Sequence, residues 1–257
     1  GARAMGGRSM LVRHCPTVTR AAMRRVAVAG VPILLIGMLA APCVVVVATR
    51  APDEVAIVNL IRHGEKISGL KVRMTADGEH RAQYLANCMA GPGRSRAMPL
   101  GAPVKVVASR VEEGRSCRPR DTVAPLAERL GLELDLECGK LDAACFARKV
   151  QELPANGTMV AAWQHSEIPA LVQAMQVEAL PADFLVWPVA CSGWEPAYIF
   201  DNPGSSCYDL LWQVALTRPP GARRWRASSI RALSEGFAGS PHGLCMQDLA
   251  PEAPRLV

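Results

Sequence analysis

The chain has 257 residues, half of them apolar, with a formal charge of +6. That length holds one α/β domain with a sizeable core plus a leader, and the apolar share excludes a wholly disordered chain. The charge is uneven: residues 1–50 hold seven Arg and no Lys, Asp or Glu, so the remaining 22 basic residues face 23 acidic ones. A basic leader on a near-neutral body argues against nucleic acid as a partner.

Residues 1–25 read as a basic disordered leader. Residues 26–49 then form a run of 24 residues without a charge. About 20 apolar residues span a bilayer, and the arginines before the run favour a cytoplasmic N-terminus with the folded domain across the membrane. The expectation is a membrane anchor with a lumenal or extracellular domain. The competing reading is a targeting segment cleaved on the way to an organelle or to secretion, since the leader is rich in Arg and Ala and lacks acids. Pro32 and Pro42 fit a lipid-embedded helix better than a soluble one.

After the short linker Ala51-Pro52-Asp53-Glu54, strand and helix patterns alternate. They predict a three-layer α/β/α sandwich with a mainly parallel central sheet, over residues 51–235. Val55–Ile61 is a short apolar run suited to a buried parallel strand. Thr75 is placed as the N-cap of a helix carrying Arg81, Ala82, Leu85 and Met89. Gly91–Pro103 reads as a loop and Val104–Ala108 as the second strand. A helix is expected over Asp121–Leu130, with Gly131 as its C-cap. Thr158–Trp163 is a third strand and Ile168–Met175 a further helix, with Pro169 tolerable in its first turn. Strands are also expected over Tyr208–Leu216 and Trp225–Arg231, and a weakly ordered tail over 236–257. The tryptophans are assigned to packing.

Seven of the nine cysteines lie beyond the leader, and no CxxC pair occurs, which argues against a zinc site. Cys138 and Cys145 flank a short segment that a disulfide would close if the domain is lumenal; isolated buried thiols are the alternative. Asn156-Gly157-Thr158 is a glycosylation sequon in a turn.

The chemistry is concentrated in four segments. Arg62-His63-Gly64-Glu65 ends the first strand, where open α/β sheets bind ligands. An imidazole there can attack phosphorus while the adjoining guanidinium holds phosphoryl oxygens. The others are Met74-Thr-Ala-Asp-Gly-Glu-His-Arg-Ala82, Ala108-Ser-Arg110 leading to Arg118-Pro-Arg-Asp-Thr-Val123, and Met159-Val-Ala-Ala-Trp-Gln-His165. In order and spacing they resemble the histidine phosphatase superfamily, also called the phosphoglycerate-mutase-like family, over roughly residues 54–216.

The resemblance implies a phosphate monoester hydrolase working through a phosphohistidine on His63, without metal or organic cofactor, on a small phosphorylated substrate. It makes Arg62 and Arg118 the phosphate clamps and His165 the second histidine. Arg118 is chosen because it stands four residues before Thr122; the longer loop here leaves Arg110, Arg115 and Arg120 as rivals. Where many relatives have Asp after the second histidine, this chain has Ser166, then Glu167. Glu167 is therefore the candidate general acid, its other reading being charge compensation at a helix start. Glu65 is expected to orient the loop or pair with an arginine. Ser166 and the altered loop also admit a catalytically silent scaffold, and a phosphoglycerate-mutase-type phosphotransferase is a further alternative.

Overall fold

The computed structural model describes residues 51–66, 73–112, 116–188 and 207–237. The leader, the uncharged run 26–49 and the tail beyond 237 lie outside the described residues, so the anchor and leader readings are untouched by it. Among the described residues, no helix is long and apolar enough to cross a membrane. All described elements fall within one compact unit, Pro52–Val257.

The mixed α/β fold expected from the alternating patterns is present. Among the described residues, six strands, β1 (Glu54–Arg62), β2 (Lys105–Ala108), β3 (Leu134–Asp135), β4 (Thr158–Trp163), β5 (Leu210–Arg218) and β6 (Arg226–Ser234), lie in the order β3-β2-β4-β1-β5-β6. The first four are parallel; β5 runs antiparallel to β1, and β6 antiparallel to β5.

β1 is buried on both sides, which is why its sequence is nearly continuously apolar. Its alternate side chains feed two cores. Val58 and Leu60 join Phe146, Ile168 and Leu171 of α3 (Ala143–Gln151) and α4 (Ile168–Ala174). Ile61 joins Leu85 and Leu126 of α1 (Ala76–Met89) and α2 (Arg118–Leu130). Trp163, Trp187, Trp212 and Trp225 are all buried, as packing residues should be.

Local signals explain most boundaries. The Thr75 hydroxyl accepts from the Gly78 N–H at 3.1 Å, capping α1. Gly131 ends α2 in the left-handed region at φ 65°, where a side chain would be strained. Two expectations need correcting. α2 begins at Arg118, three residues before the expected Asp121, because Pro119 sits in its first turn and Pro125 falls inside the helix. The segment Leu134–Gln151 holds a short strand and a helix that the apolar patterns do not announce; Asp142 caps that helix by accepting from the Cys145 N–H at 2.8 Å.

Cys138 and Cys145 form a disulfide, with Cα atoms 5.5 Å apart. Cys88 and Cys207 are disulfide-bonded too, while Cys117 is free. Closing so short a loop restrains the unfolded chain modestly. Replacing both Cys138 and Cys145 with Ala should lower stability by about 2–3 kcal/mol, read from urea midpoints. An unchanged midpoint would show that the bridge constrains nothing the unfolded chain explores.

Candidate active site

The C-terminal ends of β1, β2 and β4 meet at one edge of the sheet. Register explains how two histidines 102 positions apart come together. Arg62 pairs with Trp163 across the parallel β1–β4 ladder, and the His63 N–H donates to the Trp163 carbonyl at 3.0 Å. Gln164 and His165 therefore leave β4 beside the Arg62-His63 turn.

His63 is buried, and its ring has a defined tautomer. Nδ1 lies 2.8 Å from the Gly64 carbonyl, which can only accept, so Nδ1 carries the proton and Nε2 keeps its lone pair. Burial, with the positive charges of Arg118, Arg62 and Arg81, lowers the His63 pKa to about 3. The ring is thus a neutral, potentially nucleophilic imidazole throughout the physiological range. His165 is lowered to about 4 by burial and by Arg62 and Lys66; its Nδ1 is buried without a hydrogen-bond partner.

Arg62 is nearly fully buried, and its guanidinium lies 3.8 Å from the Tyr208 ring centroid while Nη2 donates to the Tyr208 hydroxyl at 3.1 Å. Burial lowers its pKa to about 10, which leaves it charged at neutral pH. Arg118 stands in the first turn of α2, where its Nε donates to the Ser116 hydroxyl at 2.7 Å and its Nη1 is buried without an acceptor. Thr122 couples the two segments: its hydroxyl accepts from the Gly64 N–H at 2.7 Å and donates to the Arg118 carbonyl at 2.7 Å. The four-residue spacing between Arg118 and Thr122 is therefore the spacing of one helical turn that grips the His63 loop.

The rivals separate. Arg120 pairs with Asp121 at 2.6 Å and lines a different hollow, with Arg73 and His80. Arg110 is exposed and lines the cavity at His63, of about 90 Å³, together with Ser109, Glu112, Ser116, Lys140 and Gln164. Arg115 lies outside the described residues.

The second motif supports the first from below. The Thr75 N–H donates to the Glu65 carbonyl at 2.9 Å. A Cβ at Gly78 would lie 2.8 Å from the Glu65 amide nitrogen, so that position needs glycine for the close approach. Glu65 faces Arg81 Nε at 3.5 Å, in line with the expected arginine pairing.

Tyr208 and Glu235 escape a motif reading, and Arg81, inside the Met74–Ala82 motif, is given no role by it. Arg81, fully buried, donates to the Tyr208 carbonyl and to Glu235 Oε2, each at 2.6 Å, and to the Arg62 carbonyl at 3.0 Å. Tyr208 lies just before β5 and Glu235 directly after β6, 127 and 154 residues downstream of Arg81; a Tyr before an apolar run carries no signal for this role. Glu167 lies outside the lining of the His63 cavity. It accepts from the Ser166 hydroxyl at 2.9 Å and faces Lys140 at 3.7 Å, while its charge raises the His165 pKa against the cationic effects. Its side chain makes no cap to α4. Among the described residues, no group of three or more His, Cys, Asp or Glu is placed to hold a metal ion.

The depressed histidines have a consequence for stability. In the unfolded chain both histidines take up a proton near pH 6.5, whereas the folded chain resists until about pH 3 and 4. Their contribution is complete above pH 6.5 and is lost as pH falls toward 4. Urea midpoints should therefore drop between pH 7 and 4.5, and the drop should shrink in a His63→Ala/His165→Ala variant. An equal drop in that variant would assign the acid sensitivity elsewhere.

Fold and site together define an α/β domain with a neutral buried imidazole set among guanidinium groups at the strand ends, an arrangement suited to binding and attacking an anion. No family model and no curated protein matches the chain. Among solved structures it is similar to mycobacterial hydrolase 1, at 16% identity over 68% of this chain and 97% of that one, with a TM-score of 0.39. It is also similar to the mycobacterial glucosyl-3-phosphoglycerate phosphatase, at 15% identity over 70% and 98%, with a TM-score of 0.42. A third is a protein assigned as the phosphohistidine phosphatase SixA from Agrobacterium tumefaciens, at 15% identity over 68% and 96%, with a TM-score of 0.35. Such distant likenesses leave function to the residues of the site itself.

Proposed function

We propose that the domain is a phosphate monoester hydrolase of the histidine phosphatase type. The observation that carries this reading is the state of His63. Its Nδ1–H is committed to the Gly64 carbonyl, its Nε2 is free to attack, and it is buried among guanidinium groups that keep it neutral. Nε2 attacks the phosphorus of a small phosphorylated substrate, the P–O bond to the leaving group breaks, and the leaving oxygen takes a proton. Water then attacks the phosphohistidine, releases inorganic phosphate and restores the lone pair. Arg62 and Arg118 hold the non-bridging oxygens, and His165 donates a hydrogen bond to the transferring group. The chemistry we assign is metal-independent because cationic side chains supply the charge. The buried, unpartnered Arg118 Nη1 and His165 Nδ1 support an anion in this place.

The domain is further proposed to reside in an oxidising compartment, either held at a membrane by residues 26–49 or released after their cleavage. The Cys138–Cys145 disulfide supports that placement. Assay of purified protein on a generic aryl phosphate tests the activity. Absence of His63-dependent turnover would favour the silent scaffold reading instead.

Glu167 is proposed as the proton donor, and leaving-group dependence tests it. In Glu167→Gln, alkyl phosphates should slow by about 100-fold or more, while nitrophenyl phosphate, whose leaving group needs little proton help, is nearly spared. Glu112 lines the His63 cavity and makes the natural comparison. If Glu112→Gln shows the selective loss and Glu167→Gln does not, the donor is Glu112.

A further inference from the structure

At the opposite end of β1 from His63 lies a second cationic surface that the proposed chemistry does not use. The β5–β6 hairpin turns at Pro219–Trp225 and carries Arg223, Arg224 and Arg226, all exposed. Exposed Arg148 at the end of α3 lines the same broad cleft, and Glu178 is its one acidic lining residue. None of the four arginines forms an ion pair among the described residues. Like charges crowded without counter-charges repel, unless an external anion completes the surface.

This surface is anchored to the body of the domain. Trp225, buried below the arginines, donates from its indole N–H to the Leu153 carbonyl at 2.8 Å, and its backbone N–H donates to Gln151 Oε1 at 2.8 Å. Arg218 stacks over the same indole at 4.0 Å and pairs with Glu54 at 2.6 Å. Glu54 opens β1, in register with Arg218. The chain therefore enters the sheet directly beside the basic hairpin.

Only four residues, Arg50 to Asp53, separate Glu54 from the uncharged run that ends at Thr49. Four extended residues reach at most about 14 Å, less than two Debye lengths of roughly 8 Å at physiological salt. We propose that the face formed by Arg148, Arg223, Arg224 and Arg226 docks on an anionic phospholipid surface. Charge complementarity and the short tether name this occupant. Docking there points β1 away from the bilayer, and nine strand residues at about 3.3 Å each put His63 roughly 30 Å from the lipid-facing end. The catalytic site would then serve soluble phosphate esters rather than lipid headgroups.

The unit Pro52–Val257 contains every described element and both cores, so it is the piece to test. It should sediment with phosphatidylcholine vesicles containing about one-third phosphatidylserine at low salt, not with pure phosphatidylcholine vesicles, and should release in 0.5 M salt, given screening over about 8 Å already at physiological strength. Each basic residue near an anionic bilayer contributes about fivefold, so Arg223→Ser/Arg224→Ser/Arg226→Ser should weaken binding by about 100-fold. Arg223→Lys/Arg224→Lys/Arg226→Lys should retain most of it, because the surface reads charge. Circular dichroism and aryl phosphatase activity should match wild type in both variants. Failure of the wild-type unit to bind anionic vesicles at low salt, equal binding to neutral vesicles, or undiminished binding by the Ser variant would each overturn the proposal. None of these outcomes bears on the reaction at His63.

Discussion

His63→Ala should abolish turnover, to below about one-thousandth of wild type, while the domain still folds. No neighbouring group can substitute for the imidazole. The other histidine of the site, His165, stands at the end of a different strand, and its Nδ1 is buried without a partner. Truncation costs the fold little, because the ring makes one side-chain hydrogen bond, to the Gly64 carbonyl of the next residue. The main chain at this point is held independently, by the His63 N–H to Trp163 and the Gly64 N–H to Thr122. Removing a buried imidazole held neutral against its tendency to charge should shift stability by no more than about 1 kcal/mol. The mechanism makes a second requirement. Rapid quenching of wild type with labelled substrate should trap phosphate in an acid-labile, base-stable form, absent from the variant. Undiminished activity in His63→Ala would remove the phosphohistidine from the scheme, whatever the assay substrate.

The parts of this site that could be read from sequence are those whose meaning is local. Arg62-His63-Gly64-Glu65 follows a run apolar enough to be a buried strand, so its place at a strand end follows from the run itself. His165 was legible for the same reason, at the end of Thr158–Trp163. Thr75 and Gly131 declared helix ends through capping chemistry that needs no distant partner. By contrast, Arg81 looks like any amphipathic helix residue, and only the fold brings it under Tyr208 and Glu235. A buried Arg81–Glu235 pair is made across 154 positions, and no local pattern encodes it. α2 starts three residues before the expected Asp121, and Pro119 in its first turn is the signal that marks this start. That three-residue shift matters, because it puts Arg118 inside the helix rather than in the loop before it.

Arg118→Ala should lower kcat/KM by about 10²–10⁴, equivalent to roughly 3–5 kcal/mol, the scale for losing a charge-assisted contact that strengthens in the transition state. The geometry makes this a side-chain effect. The backbone carbonyl of residue 118 would still accept from Thr122, and Thr122 would still hold the Gly64 N–H, so the His63 loop should keep its place. No described carboxylate pairs with Arg118, so its removal leaves no orphaned acid behind. Its charge also lowers the His63 pKa, second among the charged or hydrogen-bonding influences after the opposing Gly64 contact. The variant's His63 should therefore titrate higher than wild type's, a shift readable by imidazole NMR that simple loss of substrate contact would not produce. Arg118→Lys should recover only part of the rate, since a point charge cannot make the bidentate contact. Arg120→Ala should be near neutral because Arg120 is engaged with Asp121. Arg110→Ala should be mild, as Arg110 is exposed at the cavity rim. If Arg110→Ala or Arg115→Ala proves severe while Arg118→Ala is mild and leaves the His63 titration unmoved, the second clamp comes from the 109–117 loop and not from the first turn of α2.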